Sequence, residues 1–545
     1  MLSVLTDFGF IQDQLSLLHL VGGGVVLLVI WRLWRFTVRP LLSPDSPREV
    51  PYLIPSHAVS MLRSPHALLS SAIKDCKGSG EPIAINVFGQ KIYFILSEQD
   101  ATAVLREPSQ LTHTEHLKNL LMGLGCSQSG ISEMDHDSEP KAPPLVLVAE
   151  ELMRKQLLEK SLSPEILARS LEVLESHMRW DRLEAPTLLH ASEDGRERTV
   201  SLYQWAQTAI IHAVTTAYFG NAIWELSPHI VEDLVCLESD LWILLFKLPR
   251  PCGKEVRVAR ARVLRCLVDY MRLPPSSQQD QSWAVRNSIT EMRRRGLSED
   301  DMASYLLMVL WGYVSLNHST FRHPLPLDDP SLTLPSANAN VFKLPFWLLA
   351  HICTDQTLLQ SVTTEVTALV TQSTAANEPL PTLAQRLEQN PLLSALYNET
   401  QRLTMNSSSA RSVAQPLTIR GRTFQAGAHL LVPYRQLAMS HPLLGRDWDR
   451  FRPERFLDHP GLAQSKSFLP FGAGKHKCVG RSLSKRLSLT FVALVVHRFH
   501  VRALDGVPAV GFTPVSSGPG GPVQGGDVRV VLLSKEGGGV SQEEE

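Results

Sequence analysis

Apolar and polar residues change their spacing several times along the chain, and each change marks a different kind of element. Residues 15–33, LSLLHLVGGGVVLLVIWRL, form an apolar run with no acid and a first arginine at Arg32. Its length lies near the short end of the roughly 17–25 residues that cross a bilayer, so a transmembrane helix is predicted there. A cleaved signal peptide would carry its basic residues ahead of the run. Here Asp7 and Asp13 precede it, and Arg32, Arg35, Arg39 and Arg48 follow. The positive-inside tendency then puts the rest of the chain on the cytosolic side, with Trp31 and Trp34 suited to an interfacial belt.

The prolines of PLLSPDSPREVP, residues 40–51, argue against a helix and predict a stiff linker. Ile83 to Leu96 alternates about a glycine turn and predicts a hairpin. From about residue 145 to 400 helical spacing dominates. There Ser298 is placed to cap a helix whose first turn holds Glu299, Asp300 and Asp301, ahead of the apolar run Tyr305 to Trp311. Strand-like segments return near 417–433 and 508–533, and GGGVSQEEE closes the chain as a disordered tail. The predicted class is mainly α with a small β portion. The predicted organisation is an anchor at 1–39, a linker at 40–51, one catalytic-size unit at 52–534 and a tail at 535–545.

Composition narrows this further. A formal net charge of −1 gives no electrostatic case for binding nucleic acid. The seven cysteines are scattered, odd in number and contain no CxxC pair. That pattern fits neither a disulfide framework nor a cysteine-paired zinc site, and points to a reducing compartment.

One cysteine stands in an unusual place, the loop FLPFGAGKHKCVG at residues 468–480. Gly472, Gly474 and Gly480 let the backbone fold closely around Cys478. Lys475, His476 and Lys477 supply positive charge, and the helical stripe from Ser482 to Val496 brings a helix N-terminus near the sulfur; both favour a thiolate. The residues alone leave two other readings open, a buried structural cysteine and a nucleophile. His476, two residues away in a tight loop, is poorly placed as a base for the latter.

Phe471, Gly474, His476, Cys478 and Gly480 fit F-x-x-G-x-[HR]-x-C-x-G, a pattern that resembles the haem-thiolate loop of the cytochrome P450 superfamily. The resemblance implies that Cys478 is the axial ligand of haem iron, that Phe471 packs near its sulfur and that His476 lies beside a propionate. Upstream, Glu399 and Arg402 supply E-x-x-R, and Phe451 to Phe456 reads F-R-P-E-R-F. Glu399, Arg402 and Arg455 resemble the family's buried Glu-Arg-Arg triad, and Arg411 is placed to pair with a propionate. The resemblance runs from the proline-rich linker to about residue 533. With the anchor it implies a microsomal member in the endoplasmic reticulum, its catalytic domain facing the cytosol. Heme b, electrons from NADPH through a membrane-bound cytochrome P450 reductase and a lipophilic small-molecule substrate follow from the same resemblance.

The distal side departs from the family pattern. No [AG]-G-x-[DE]-[TS] motif is present, so the acid–alcohol pair that helps deliver protons is missing. Leu310 to Tyr313 and Asn338 to Trp347, joined directly, are similar to the central helix of the branch holding prostacyclin synthase and the bile-acid sterol hydroxylases, and to some fungal natural-product enzymes. Asn340 falls where that branch puts asparagine in place of threonine. Between the pieces lie residues 314–337, whose prolines, at 324, 326, 330 and 335, cannot continue a helix. They read either as a tolerated surface insertion or as translated intron sequence, since Val314-Ser315 can be encoded by a donor-like GTAAGT.

Three functions are compatible with these residues. The first is a monooxygenase acting on a lipophilic terpenoid, steroid-like or polyketide-type molecule in a secondary-metabolite pathway. The second is a peroxide isomerase or dehydratase that needs no reductase. The third, if 314–337 is retained, is an impaired haem protein. The apolar residues within 114–144 and 511–517 suggest an apolar substrate, though they could equally be core.

Overall fold

The computed structural model describes residues 22–52, 56–57, 60, 65–75, 80–87, 89–106, 110–112, 120–135, 145–245, 253–312, 338–439, 442–473, 477–511, 518–523 and 525–535. Within them the chain is mainly helical with small sheets. The helices used below are α1 (Gln128–Asp135), α2 (Ser163–His177), α3 (Leu202–Phe219), α4 (Ile230–Leu245), α5 (Lys254–Arg272), α6 (Glu299–Gly312), α7 (Asn338–Val341), α8 (Lys343–Thr354), α9 (Gln356–Ala375), α10 (Pro391–Thr404), α11 (Glu454–Asp458) and α12 (Arg481–Arg498).

Capping side chains set several helix starts. Ser201 accepts from the Gln204 amide to open α3, and Asn390 accepts from the Leu393 amide ahead of Pro391 to open α10. The centre of the molecule is α12, buried along most of its length, which packs against α2, α8 and α9. Trp347, Phe346 and Phe491 are fully buried in the principal core.

Two sheets flank the helices. β1 (Arg48–Glu49), β2 (Ile83–Val87), β3 (Gln90–Phe94), β4 (Leu111–Thr112), β7 (Ser408–Val413) and β10 (His429–Pro433) pair in the order β1-β2-β3-β10-β7-β4. The β2–β3 hairpin turns at Gly89, as the alternation predicts, but all five β2 residues are buried, with Ile83, Ile85 and Val87 in one apolar cluster and Ala84 in another. β5 (Leu188–Ala191), β6 (Glu197–Ser201), β11 (Phe499–Ala503) and β12 (Arg529–Ser534) form an antiparallel sheet in the order β11-β12-β6-β5. β5 and β6 interrupt the stretch read as helical, and the C-terminal strand holds them in place. β8 (Leu417–Ile419) and β9 (Arg422–Phe424) make a separate hairpin.

The linker begins later than its prolines predict. Residues 22–33 are helical, Trp34–Val38 is a π-turn, and a helical turn continues through Pro40 to Leu42. In the π-turn the Arg39 amide reaches back to the Trp34 carbonyl. The resulting offset relieves the proline ring of its usual clash with the preceding turn. No helix among the described residues is long and apolar enough to cross a membrane. Residues 1–21, which hold the first part of the predicted span, lie outside the described residues, as do 313–337 and 536–545.

α6 and α7 abut, and both also touch α4, so the two pieces of the interrupted helix meet across the stretch at 313–337. The start of α6 also does more than its sequence announces. The Ser298 hydroxyl accepts from the Asp301 amide and donates to the Asp301 carboxylate at 2.6 Å. The same carboxylate accepts the Ser127 amide at 2.7 Å and the Ser127 hydroxyl at 3.0 Å, at the start of α1. One side chain therefore fastens two helix starts. Burial pushes the Asp301 carboxyl up, but hydrogen bonds from Ser298, Ser127 and Cys126 outweigh it and hold the group below the usual range. Asp301→Ala is expected to destabilise the fold by about 2 kcal/mol, the scale of hydrogen bonds to a charged group, with lost amide-exchange protection concentrated in 120–135. Because the folded pKa is depressed, this contribution is present above the unfolded carboxylate value of about 3.9 and is lost as pH falls through the folded value. Urea unfolding of both proteins at pH 7 and pH 3 measures the difference, which shrinks at the lower pH.

Candidate functional site

Cys478 lies immediately before α12 and is 8% exposed. The Cys478 amide donates to the Phe471 carbonyl at 2.9 Å, which closes the loop, and Gly472 takes φ +74°, a conformation that favours glycine. Burial pushes the thiol up to about 11; amides of Gly480 and Arg481 and the Arg481 guanidinium pull in the other direction. Arg481 also donates to the Cys478 carbonyl at 2.8 Å. The sulfur thus sits at a helix N-terminus, where amides and the helix dipole favour negative charge. Phe471 is half-buried against the principal core. Gly474 and His476 lie outside the described residues.

Glu399 is fully buried on α10 and takes both oxygens to Arg402, with Nε to Oε2 and Nη2 to Oε1 each 2.7 Å. Arg402 also donates to the carbonyls of Trp448 and Arg450 at 2.5 and 3.1 Å. From α11, Arg455 brings Nε within 3.5 Å of Glu399 Oε1, a charge contact too long for a strong hydrogen bond. Its other nitrogens donate to the Leu444 carbonyl at 2.7 Å and to Asp447. The three residues are brought together, with two additions that sequence reading missed. The Arg452 amide donates to Glu399 at 2.8 Å, and Asp447 is a second acid for Arg455. Hydrogen bonds from Arg452 and then Arg455 hold Asp447 down to about 2.

Across the core, Asn340 sits on α7 against the C-terminal turn GPGGP, residues 518–522. A Cβ on Gly518 would lie 2.3 Å from Asn340 Cγ, so a side chain there would require the Asn340 side chain to move. The turn is held by Trp347 Nε1 donating to the Gly520 carbonyl at 2.7 Å, and by backbone bonds with Thr404 and Asn406 at the end of α10. Arg411 follows on β7, 1% exposed, donating to Ser409 Oγ at 3.2 Å. One turn beyond Asn340, Lys343 is buried and pairs with Glu238 of α4 at 2.5 Å. Nothing in the local sequence marks that pair, because its partners lie 105 residues apart.

The Cytochrome P450 family model matches residues 345–512, beginning just beyond the interrupted stretch. The chain is 21% identical over 478 residues to cytochrome P450 monooxygenase poxD of Penicillium oxalicum, covering 85% of this chain and 89% of that protein. It is 22% identical to cytochrome P450 monooxygenase fsoE of Humicola fuscoatra, covering 85% and 82%. It is also 29% identical over 282 residues to cyclooctat-9-en-7-ol 5-monooxygenase of Streptomyces melanosporofaciens, covering 48% of this chain and 51% of that protein.

The chain belongs to the cytochrome P450 superfamily. It is an oxidoreductase of that kind, and the family implies a haem-thiolate iron with electrons from a redox partner. The residues of this cytochrome P450 fit the group. A buried sulfur approached by helix N-terminal amides and a guanidinium suits an anionic ligand to a metal. A buried guanidinium on β7 suits a carboxylate such as a propionate. Charge also separates Cys478 from Cys126 and Cys266, both pushed up to about 12 by burial and by nearby acids, Asp301 for the first and Asp269 and Asp233 for the second.

Proposed function

We propose that this cytochrome P450 is a monooxygenase that inserts one oxygen atom of dioxygen into a lipophilic small molecule of terpenoid, steroid-like or polyketide type, in a secondary-metabolite pathway. The observation that carries the reading is Cys478, buried at the N-terminus of α12 with amides directed at its sulfur. The fungal relatives named as monooxygenases support it, and the name of the Streptomyces relative points to a cyclic alcohol as one substrate type. Bound haem supplies the dioxygen chemistry, which thiolate donation favours. Among the chain's own residues, Cys478 would hold the iron, and Phe471 and Gly480 would shape the loop with Gly474 and His476. Arg411 would orient a propionate, and Asn340 would face the distal side in place of a threonine. Lys343 and Glu238 would fix α8 to α4, keeping Asn340 in place. Electrons would come from NADPH through a cytochrome P450 reductase. The N-terminal segment would hold the catalytic unit, 52–534, on the cytosolic face of the endoplasmic reticulum.

Asn340 favours a second reading, a peroxide isomerase or dehydratase without need of a reductase, because no acid–alcohol pair accompanies it. Turnover of a lipophilic library separates the two. Oxygenated products that require NADPH and reductase are expected; products formed from a peroxide without reductase would favour the isomerase. Residues 314–337 are read as intron-derived, a reading the abutting α6 and α7 support. A transcript that retains those codons after splicing would overturn it, and would favour the impaired haem protein.

A further inference from the structure

The N-terminal helix carries two unlike faces. Val26, Leu27, Ile30, Leu33, Trp34 and Leu41 are exposed, several of them more than half. The opposite face carries Trp31, Arg32, Arg35 and Phe36, at positions that fall together on a helix. All four converge on Tyr52. Trp31 and Phe36 meet its ring edge-on at 5.9 and 5.3 Å, and the two stand 5.8 Å from each other. The Arg35 guanidinium lies 5.4 Å from the Tyr52 ring and 5.8 Å from that of Trp31, while pairing with Glu49 at 2.8 Å. Arg32 donates to the Tyr52 carbonyl at 2.9 Å.

The cluster is tied into the catalytic unit rather than floating on it. Glu49 belongs to β1, which pairs with β2. The Tyr52 ring meets His57 at 4.8 Å, and the His57 amide donates to the Asn86 carbonyl on β2 at 2.9 Å. The segment in between is docked as well, because the Thr423 amide donates to the Asp45 carbonyl at 2.7 Å and Arg422 donates to the Pro44 carbonyl.

We propose that Arg32, Arg35, Trp31, Phe36 and Tyr52 form a clasp that fixes the N-terminal helix at one angle to the β1–β3 corner, so that a lipid bilayer covering the helix's exposed face holds the catalytic unit in one attitude. The proposal rests on the membrane-bound reading above. The bilayer is the occupant because the exposed face is aliphatic, bears a tryptophan and continues in sequence into the apolar residues 15–21, with the arginines on one side of that run. The segment 40–51 is then a strut and not a tether, and the corner of the sheet faces the lipid.

The test uses the full chain with haem, bound to vesicles of phosphatidylcholine with a minority of phosphatidylserine. Flotation reports membrane binding, and proteinase K cleavage within 43–51 reports opening of the clasp. The wild type is expected to float and to resist cleavage. Tyr52→Ala with Arg35→Ala is expected to float equally and to be cut about tenfold faster, since cleavage follows the open population. The carbon monoxide spectrum should be unchanged, and Tyr52→Phe, which keeps the ring, should restore protection. Equal cleavage of wild type and double variant would overturn the clasp. If neither protein floats, the membrane reading fails, and the same cleavage ratio without vesicles still decides the clasp. Should the double variant fold poorly, Arg35→Gln alone carries the comparison.

Discussion

Cys478→Ala removes the red-shifted carbon monoxide band of the reduced protein while the fold survives. The side chain lost is small, and the bond that closes the loop, from the Cys478 amide to the Phe471 carbonyl, belongs to the backbone. Far-ultraviolet circular dichroism should therefore stay at the wild-type value while the absorbance changes. The thiolate is the proposed source of the spectral shift. A band that persists in the variant would sink the assignment of Cys478 as the iron ligand. A variant that also loses its helical signal would show that the residue's main service is to packing. Cys126→Ala, at a buried thiol beside an acid, should leave the band as it is.

The largest stability effect is expected at Glu399. Its carboxylate takes two hydrogen bonds from Arg402 and one from the Arg452 amide, and faces Arg455, with no solvent access. Glu399→Ala leaves two buried guanidinium groups without their shared anion. Breaking a buried pair in this way costs about 3–5 kcal/mol, a large part of a typical total of roughly 5–15 kcal/mol. The expected result is little or no haem-loaded protein at 37 °C. Glu399→Gln, which keeps the shape and one acceptor, should recover part of the yield. Arg455→Ala should cost less than Arg402→Ala, because Arg402 makes the bidentate contact and Arg455 only the longer one. Chemical denaturation of the variants at one temperature ranks them, and an Arg455→Ala loss as large as that of Glu399→Ala would contradict the order.

What could be read in the sequence follows a physical rule. The Cys478 loop and the Glu399–Arg402 pair are short-range features, whose spacing alone puts the groups together on a loop or a helix face. The hairpin at Gly89 and the cap at Ser298 were legible for the same reason. Asp301 was visible as an acid in a first turn, but its second duty at Ser127 spans 174 positions and leaves no local trace. The pair of Lys343 with Glu238 spans 105 positions and likewise leaves no local trace. β5 and β6 pair with each other inside a stretch read as helical, and β6 finds its second partner, β12, only near the end of the chain. Pro40 was read as a breaker, and a π-turn that no spacing rule announces lets the helix pass through it.

The GPGGP turn has a consequence for how this protein is made. Trp347 waits 173 residues for the carbonyl of Gly520, and Ser201 waits 326 for the carboxylate of Asp527. During synthesis α7, α8 and β6 therefore emerge from the ribosome long before the segment that covers them exists. For most of translation the nascent chain presents apolar surface with nothing to bury it against, a state prone to aggregation. A premature stop codon between residues 505 and 517 would spare every residue of the cysteine loop and of the triad, yet release a chain that cannot close its core. Such an allele should behave as a quality-control substrate and not as a weak enzyme.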